Sequence, residues 1–431
     1  MCCNQWTEDG GDLRVAGRVS KRVVAAVTAL GIAIGMSACA PEPERIDIGV
    51  DQADGALPAD LTTQMQTLTE TAMTSIGASG AIVSVSVPWS GEWTAGLGTS
   101  GKGGPKVDPS MTFKAVNVTR PMTCDLLYAL VEKGTVKLDD SVTKWLDSYP
   151  AQGNVTLGEL CDSTSGLHGY LNAIVTRVRA TPERVWNPRE LIAYGLGQPT
   201  AFEPGARFSE SDTGYVLLGT ALERAAGKPL DELYDEYVFD PLGMTSSAVP
   251  LGVGGGDRLK GSYLDTGEDG NPDCAAPLDM TDLTSSVGSS AAGAVSTVSD
   301  LSTYVRALAV GARPYDTDAR FADARPVSAE QPTWFTAKGG AYQGGSLVGQ
   351  YGSLPGYMVA AFADRETGMS VVVVLNDSRA SSNVARLLAW QLAALASKAP
   401  AADGRTAPEI GLPWTVESLG DELAGYAICG E

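Results

Sequence analysis

Phe113-Lys114-Ala115-Val116-Asn117-Val118-Thr119-Arg120-Pro121-Met122-Thr123-Cys124-Asp125-Leu126-Leu127-Tyr128-Ala129-Leu130 is the stretch around which the rest of the chain falls into order. Met122, Leu126 and Leu130 recur every four residues, so they form one apolar helix face that must be buried. The residues from Phe113 read as extended chain leading into that helix. Asn117 stands where the helix should begin, and Gly134 marks its end.

Upstream, Leu61, Met65, Leu68 and Ala72 keep helical spacing. Ala81, Val83, Val85 and Val87 alternate with Ser84 and Ser86, the pattern of a half-buried strand, and Ser90-Gly91 turns it into a second strand over 93–97. Downstream, 138–146 starts a short element, and Ser163-Thr164-Ser165-Gly166-Leu167 is a polar turn. A helical middle ends in a helix over 215–226, stopped by Gly227-Lys228-Pro229. Gly and Asp dominate 254–277, which reads as surface loop. Ser296-Thr297-Val298-Ser299-Asp300 supplies cap residues ahead of Leu301, Tyr304 and Leu308. Residues 357–363 and 369–375 are two strands joined as a hairpin, followed by a helix carrying Val384, Leu388, Leu392 and Leu395. Strands at both ends with helices between them predict an α+β fold. The first and last hairpins complete one antiparallel sheet, flanked by the terminal helices, with a helical region inserted.

The 431 residues carry 31 basic and 51 acidic side chains, a net charge of -20. Such a surface repels nucleic acid and anionic lipid, so no nucleic-acid partner is expected. Arg14, Arg18, Lys21 and Arg22 precede an apolar run over 23–35 that is too short to span a bilayer but suits a signal-peptide core. Met36-Ser37-Ala38-Cys39 then resembles a bacterial lipobox, in which Cys39 is lipidated and begins the mature chain. The acidic residues before Arg14 are unusual in a signal peptide and suggest translation starting at Val15 or Val19. The expected division is 1–38 lipoprotein signal peptide, 39–58 flexible tether, 59–398 main domain and 399–431 C-terminal extension. Trp414 and Tyr426 are candidates to dock that extension. Outside the cytoplasm, Cys124, Cys161, Cys274 and Cys429 permit three pairings, all open at this point. One His in the whole chain gives no zinc pattern, and no cofactor or metal is implied.

Over residues 81–398 a set of ordered motifs resembles the β-lactamase-related serine hydrolases, which include class C β-lactamases, D-Ala-D-Ala peptidases, D-aminopeptidases and esterases. They are Val131-Glu132-Lys133-Gly134 with Leu138-Asp139-Asp140, Ser165-Gly166-Leu167, Glu203-Pro204-Gly205 before Phe208, and Gly214-Tyr215 with Leu217-Leu218-Gly219. Asp240-Pro241-Leu242-Gly243-Met244, Ser296-Thr297 with Asp300-Leu301, and Leu354-Pro355-Gly356-Tyr357 complete the set. The resemblance implies a β-lactamase/transpeptidase-like, penicillin-binding-protein fold. It also implies acyl transfer by a Ser at a helix start, with a Lys one turn later and a Tyr-x-Asn motif handling its proton.

Every chemical position of that pattern is changed. Asn117 stands for the Ser, and a carboxamide is no usable nucleophile. Arg120 stands for the Lys, and its guanidinium has no neutral form to accept a proton. Glu210-Ser211-Asp212 stands for Tyr-x-Asn, Gln350-Tyr351-Gly352 for His-x-Gly, and Ser163 for a frequent His. A new guanidinium and two new carboxylates are expected to form a bidentate ion pair that fills the site; the alternative is that they are separately solvated.

Ser141-Val142-Thr143-Lys144, Tyr170-Leu171-Asn172 and Lys338-Gly339-Gly340 imitate the missing motifs and define a shifted-site alternative built on Ser141 and Lys144. His168 reads as a loop residue. Three readings follow. The first is an inactive, membrane-anchored extracytoplasmic lipoprotein that binds or senses a peptidoglycan peptide or an envelope protein, with Arg120, Glu210, Asp212 and Gln350 lining its cleft. The others are an active serine hydrolase with a shifted or non-standard site, and a structural envelope protein.

Overall fold

The computed structural model describes residues 45–267 and 270–429. The signal-peptide and Cys39 readings lie outside the described residues. No helix among those described is long and apolar enough to cross a membrane.

The predicted first helix is α1 (Ala59–Ile76), burying Leu61, Met65, Ala72 and Ile76. It leads into the hairpin of β1 (Gly80–Val87) and β2 (Gly91–Gly98). β3 (Phe113–Lys114) then brings the chain to α2 (Thr119–Glu132). A 3-10 turn over Val116–Val118 precedes α2, so Asn117 sits in that turn and the α-helix proper begins two residues later than its position suggested. Met122, Leu126 and Leu130 are buried as expected.

The middle holds α3 (Leu157–Cys161), α4 (Leu171–Ala180), α5 (Pro188–Leu196), α6 (Asp212–Ala226), α7 (Leu230–Tyr234) and α8 (Asp240–Leu242). β4 (Ser262–Tyr263) pairs with β5 (Leu278–Asp279) inside the region read as surface loop. Leu259 and Leu264 of that region are fully buried, so part of it is anchored to the core. α9 (Ser289–Ala292) and β6 (Val295–Ser296) follow, β6 pairing with β3. Thr297 caps α10 (Val298–Val310) through the Asp300 amide.

The last third adds β7 (Arg325–Pro326), β8 (Phe335–Lys338), β9 (Ala341–Gly344), β10 (Leu347–Leu354), β11 (Tyr357–Asp364) and β12 (Ser370–Leu375). α11 (Asn383–Ala396) and α12 (Val416–Ala424) close the chain. One sheet runs β2-β1-β12-β11-β10-β9-β8-β7, so the first and last hairpins meet as predicted, with Ala81 opposite Leu375. Alternate residues serve two cores. Ile82, Val359, Val372 and Val374 face α10 and the helical region, while Val83, Val85, Val371 and Val373 face α1 and α11.

β1 is buried throughout, which corrects the half-buried reading. Its serines tolerate this because their hydroxyls are used: Ser84 with Thr94 at 3.0 Å, and Ser86 donating to Gln52 at 2.7 Å and Glu92 at 2.9 Å. The segment expected as a tether is, from Arg45 onward, laid on the domain. Ala53 and Leu57 are buried, and the Ala53 and Leu57 amides donate to the Pro88 and Glu92 carbonyls. The extension also docks: Trp414 stacks on Trp390 with ring centroids 4.5 Å apart, and α12 packs on α11. Cys124 pairs with Cys161, and Cys274 with Cys429, which ties the extension to the body.

Behind α2 lies a fully buried quartet. Asp125 accepts from Arg313 and Arg320, each at 2.5 Å, and from the Tyr304 hydroxyl at 2.7 Å; Asp316 accepts from Arg313 and Arg320 at 2.8 Å. Two acids balance two bases, which is what allows all four below the surface.

Candidate functional site

α2 and α6 meet at their N-terminal ends. Ser211 caps α6 by accepting from the Gly214 amide at 3.0 Å, which places Asp212 in the first turn, where a carboxylate is favoured by the helix dipole. Arg120, in the first turn of α2 and only 3% exposed, reaches the first turn of α6. Its Nη2 donates to Asp212 Oδ1 at 2.5 Å, and its Nη1 lies 2.6 Å from Glu210 Oε1. The expected ion pair therefore forms, but as one nitrogen to each of two carboxylates rather than a fork on one.

The contact with Glu210 is Coulombic, since Nη1 is not aligned for a hydrogen bond. The Arg120 Nε donates to the Ala291 carbonyl at 3.4 Å, and the guanidinium lies 5.1 Å from the Tyr215 ring centroid. Burial alone would lower the Arg120 pKa, but Glu210 and Asp212 outweigh it and raise it. The cation is fixed.

Asn117 packs on β10. A Cβ on Gly352 would fall 2.2 Å from Asn117 Cγ, so only glycine fits opposite it. The Asn117 carboxamide has no hydrogen-bond partner among the described residues. Gln350 spends both ends of its amide on backbone, donating to Gly340 O at 2.9 Å and accepting from Tyr351 N at 2.8 Å. Gly340 has φ +78°, and a Cβ there would meet Pro121 Cα at 2.8 Å and Cys124 Sγ at 2.9 Å, so the β8–β9 turn lies directly on the start of α2.

Tyr342 and Asp162, which the motifs did not single out, and Ser163 complete the closure. Tyr342, on β9, lines the same space as Glu210, and burial first, then the Glu210 charge, raises its pKa. Asp162 accepts from Gly339 N at 2.8 Å and is pushed upward by burial. Ser163, with φ +55°, shares a 3.1 Å hydrogen bond with the Tyr215 hydroxyl. Between Cys161, Asp162, Glu210, Tyr215, Tyr342 and Gln350 the space amounts to about 10 Å³. That admits at most one water. The flanking glycine pairs around Tyr342, Gly339-Gly340 and Gly344-Gly345, were the available sign that a hairpin tip enters the site.

The imitation motifs are not brought together. Ser141 Oγ donates to Gly153 O, while Lys144, half exposed, pairs with Asp140 at 2.8 Å. The Tyr170 hydroxyl donates to Val287 O, Asn172 is exposed, and Lys338 donates to the Ala319 and Ala322 carbonyls. No hydrogen bond or ion pair joins Ser141, Lys144, Tyr170 and Lys338 among the described residues. His168 is an exposed loop residue.

Residues 65–397 match the family model described as Beta-lactamase. Penicillin-binding protein 4* of Bacillus subtilis is 31% identical over 137 residues, covering 32% of this chain and 30% of that protein. A D-aminopeptidase of Brucella anthropi is 30% identical over 144 residues, covering 33% and 27%. The chain thus spans about a third or less of the length of these relatives. Among solved structures, a D-stereospecific amidohydrolase from Streptomyces sp. superposes with a TM-score of 0.66 at 22% identity, over 76% of this chain and 98% of that one, and the likeness is one of fold. A family model that spans most of the chain, on a sheet whose β10 contacts α2, leads to one conclusion: this chain belongs to the Beta-lactamase family.

Proposed function

We propose that this protein is a catalytically silent member of its family, anchored outside the bacterial membrane through a lipidated Cys39, that acts by binding a cell-wall peptide or an envelope protein. The observation that carries this reading is the Arg120, Glu210 and Asp212 cluster at the meeting point of α2 and α6. An acyl-transfer site needs there a nucleophile and a group able to take its proton. Asn117 offers a carboxamide instead, and Arg120, held charged by two carboxylates, takes no proton. The cavity of about 10 Å³ supports recognition at the cleft's outer rim, where Glu210 is 35% exposed, over an enclosed ligand.

The test exposes the full chain to a fluorescent penicillin and a fluorophosphonate, beside an Asn117→Ser, Arg120→Lys, Glu210→Tyr, Asp212→Asn variant. The native protein is expected to stay unlabelled. Covalent labelling of it would overturn the reading, and loss of that label in Ser141→Ala would assign turnover to the shifted site. Binding of a peptidoglycan peptide without labelling, weakened by charge reversal at Glu210, is the positive result.

A further inference from the structure

Across the C-terminal half of α6, beyond the turns that carry Asp212, two cavities of about 480 and 240 Å³ open side by side. They share Thr220, Glu223 and Pro229 and so form one groove. Thr220, Glu223, Arg224 and the C-cap Gly227 recur at three- and four-residue spacing on one face of α6 and make its floor.

The smaller end is an apolar hole between Trp186, Leu230, Val249, Pro250 and Leu251. Leu251 and Val185, the residue before Trp186, are the two most exposed large hydrophobic side chains among the described residues, at 69% and 58%. The rim is pinned by backbone, since the Leu251 and Gly252 carbonyls accept from the Ser286 and Ser285 amides at 3.3 and 2.7 Å. Apolar surface held open beside such a hole marks a seat for a partner's side chain.

The larger end is polar, and its charges are unevenly used. Lys228 pairs with Glu236, and Glu223 accepts from the Leu230 amide at 2.9 Å. The Arg189 and Arg224 guanidinium groups have no hydrogen-bond or ion-pair partner among the described residues, and the exposed Asp147 is the remaining carboxylate of that cavity. On a chain of net charge -20, two arginines so placed suit one incoming carboxylate, which a guanidinium holds by paired hydrogen bonds. Arg224 lies one turn beyond Thr220, about 6 Å along the axis. An extended chain covers that length in about two residues, and residues two apart share a face.

We propose that this groove docks an extended peptide segment of a partner protein in which an apolar side chain lies two residues from a carboxylate. The apolar side chain seats against Trp186 and Leu251, and the carboxylate is held by Arg189 and Arg224. The inference stands apart from the silent-cleft reading, because covalent labelling by penicillin would sink that reading and leave this binding untouched.

The full chain is titrated calorimetrically with two acetylated and amidated peptides, Ser-Phe-Ser-Asp-Ser and its reverse Ser-Asp-Ser-Phe-Ser, one for each direction along the groove. One of the two is expected to bind saturably, and replacing its phenylalanine by alanine or its aspartate by asparagine is expected to weaken it about tenfold in each case. Arg189→Gln with Arg224→Gln is expected to weaken the aspartate peptide about tenfold, leave the asparagine peptide unchanged, and leave the urea midpoint in place, as suits exposed side chains. Leu251→Ser is expected to weaken both peptides alike. Glu210→Gln, at the cleft, is expected to change nothing; a loss of binding there would place the peptide in the cleft and overturn the proposal. No saturable binding of either peptide, equal binding of the aspartate and asparagine forms, or an equal response of both forms to the arginine variant would overturn it as well.

Discussion

Removing the carboxylates around Arg120 one at a time gives a sharp test of how that cation is held. Breaking a fully buried ion pair from one side costs about 3 to 5 kcal/mol, because the remaining charge is left without compensation. Here the guanidinium is 3% exposed, but its partners are 19% (Asp212) and 35% (Glu210) exposed, so solvent screens both contacts and Glu210 more. Asp212→Asn, which removes a directed 2.5 Å hydrogen bond, is expected to cost about 2 kcal/mol; Glu210→Gln, which removes an unaligned contact, about 0.5 to 1 kcal/mol. The double variant strands the cation and is expected to lose about 4 kcal/mol, more than the two singles together. In an Arg120→Met background the Asp212→Asn cost should shrink to its helix-dipole part, about 0.5 kcal/mol. Urea unfolding at neutral pH, followed by tryptophan fluorescence with a common slope, measures all of these. A Glu210→Gln loss equal to that of Asp212→Asn, or an Asp212→Asn cost unchanged by Arg120→Met, would refute this account of the site.

Gly352→Ala puts a Cβ 2.2 Å from Asn117 Cγ and 2.6 Å from Asn117 Cβ and is expected to cost about 1 to 3 kcal/mol in the same unfolding assay, only part of it recovered by adding Asn117→Ala, which keeps the second contact. Asp125→Asn leaves Arg313 and Arg320 to share Asp316 in a fully buried site, and a loss of about 3 to 5 kcal/mol is expected; a loss under 1 kcal/mol would show the quartet to be dispensable. Lys114 is buried with, among the described residues, only the Val253 carbonyl and the Ser285 hydroxyl as partners, and burial first, then Arg258, lowers its pKa to about 7. Between that value and the ordinary lysine range near 10.4 the unfolded chain holds a proton the folded chain lacks, so stability rises with pH across the window. Relative to Lys114→Met, the native protein is expected to gain about 1 to 2 kcal/mol between pH 7 and pH 9, and parallel curves for the two would refute the shift.

What could be foreseen from the chain was what repeats or what is locally capped. The four-residue spacing in α2, the alternation in β1, the apolar run of β12 and the Thr297 cap of α10 are local patterns, and each element formed, α2 two residues later than expected. What stayed hidden depends on contacts between distant segments. β7, β8 and β9 are two to four residues long and carry no usable periodicity, so their place beyond β10 follows only from the sheet. The disulfide pairing was one of three until α2 and α3 were seen side by side. Residues 45–58, polar and proline-containing, read as a tether because nothing local shows that the β1–β2 edge accepts their backbone.

The site divides in the same way. Arg120 was matched with Glu210 and Asp212 in advance because their charges are complementary, and the structure places them within 2.6 Å. Separately solvated side chains would give no reason for an arginine at 120 to meet two carboxylates that lie 90 and 92 residues further along the chain. An arginine buried to 3% exposure is tolerated only with such partners, so Arg120 without Glu210 and Asp212 would destabilise the fold. The closure around it, by Tyr342 and the Gly340 turn resting on Pro121, depends on hairpin geometry that no single residue announces. Cation, counter-charges and covering hairpin together form a packed element that joins the starts of α2 and α6 to the β8–β9 turn.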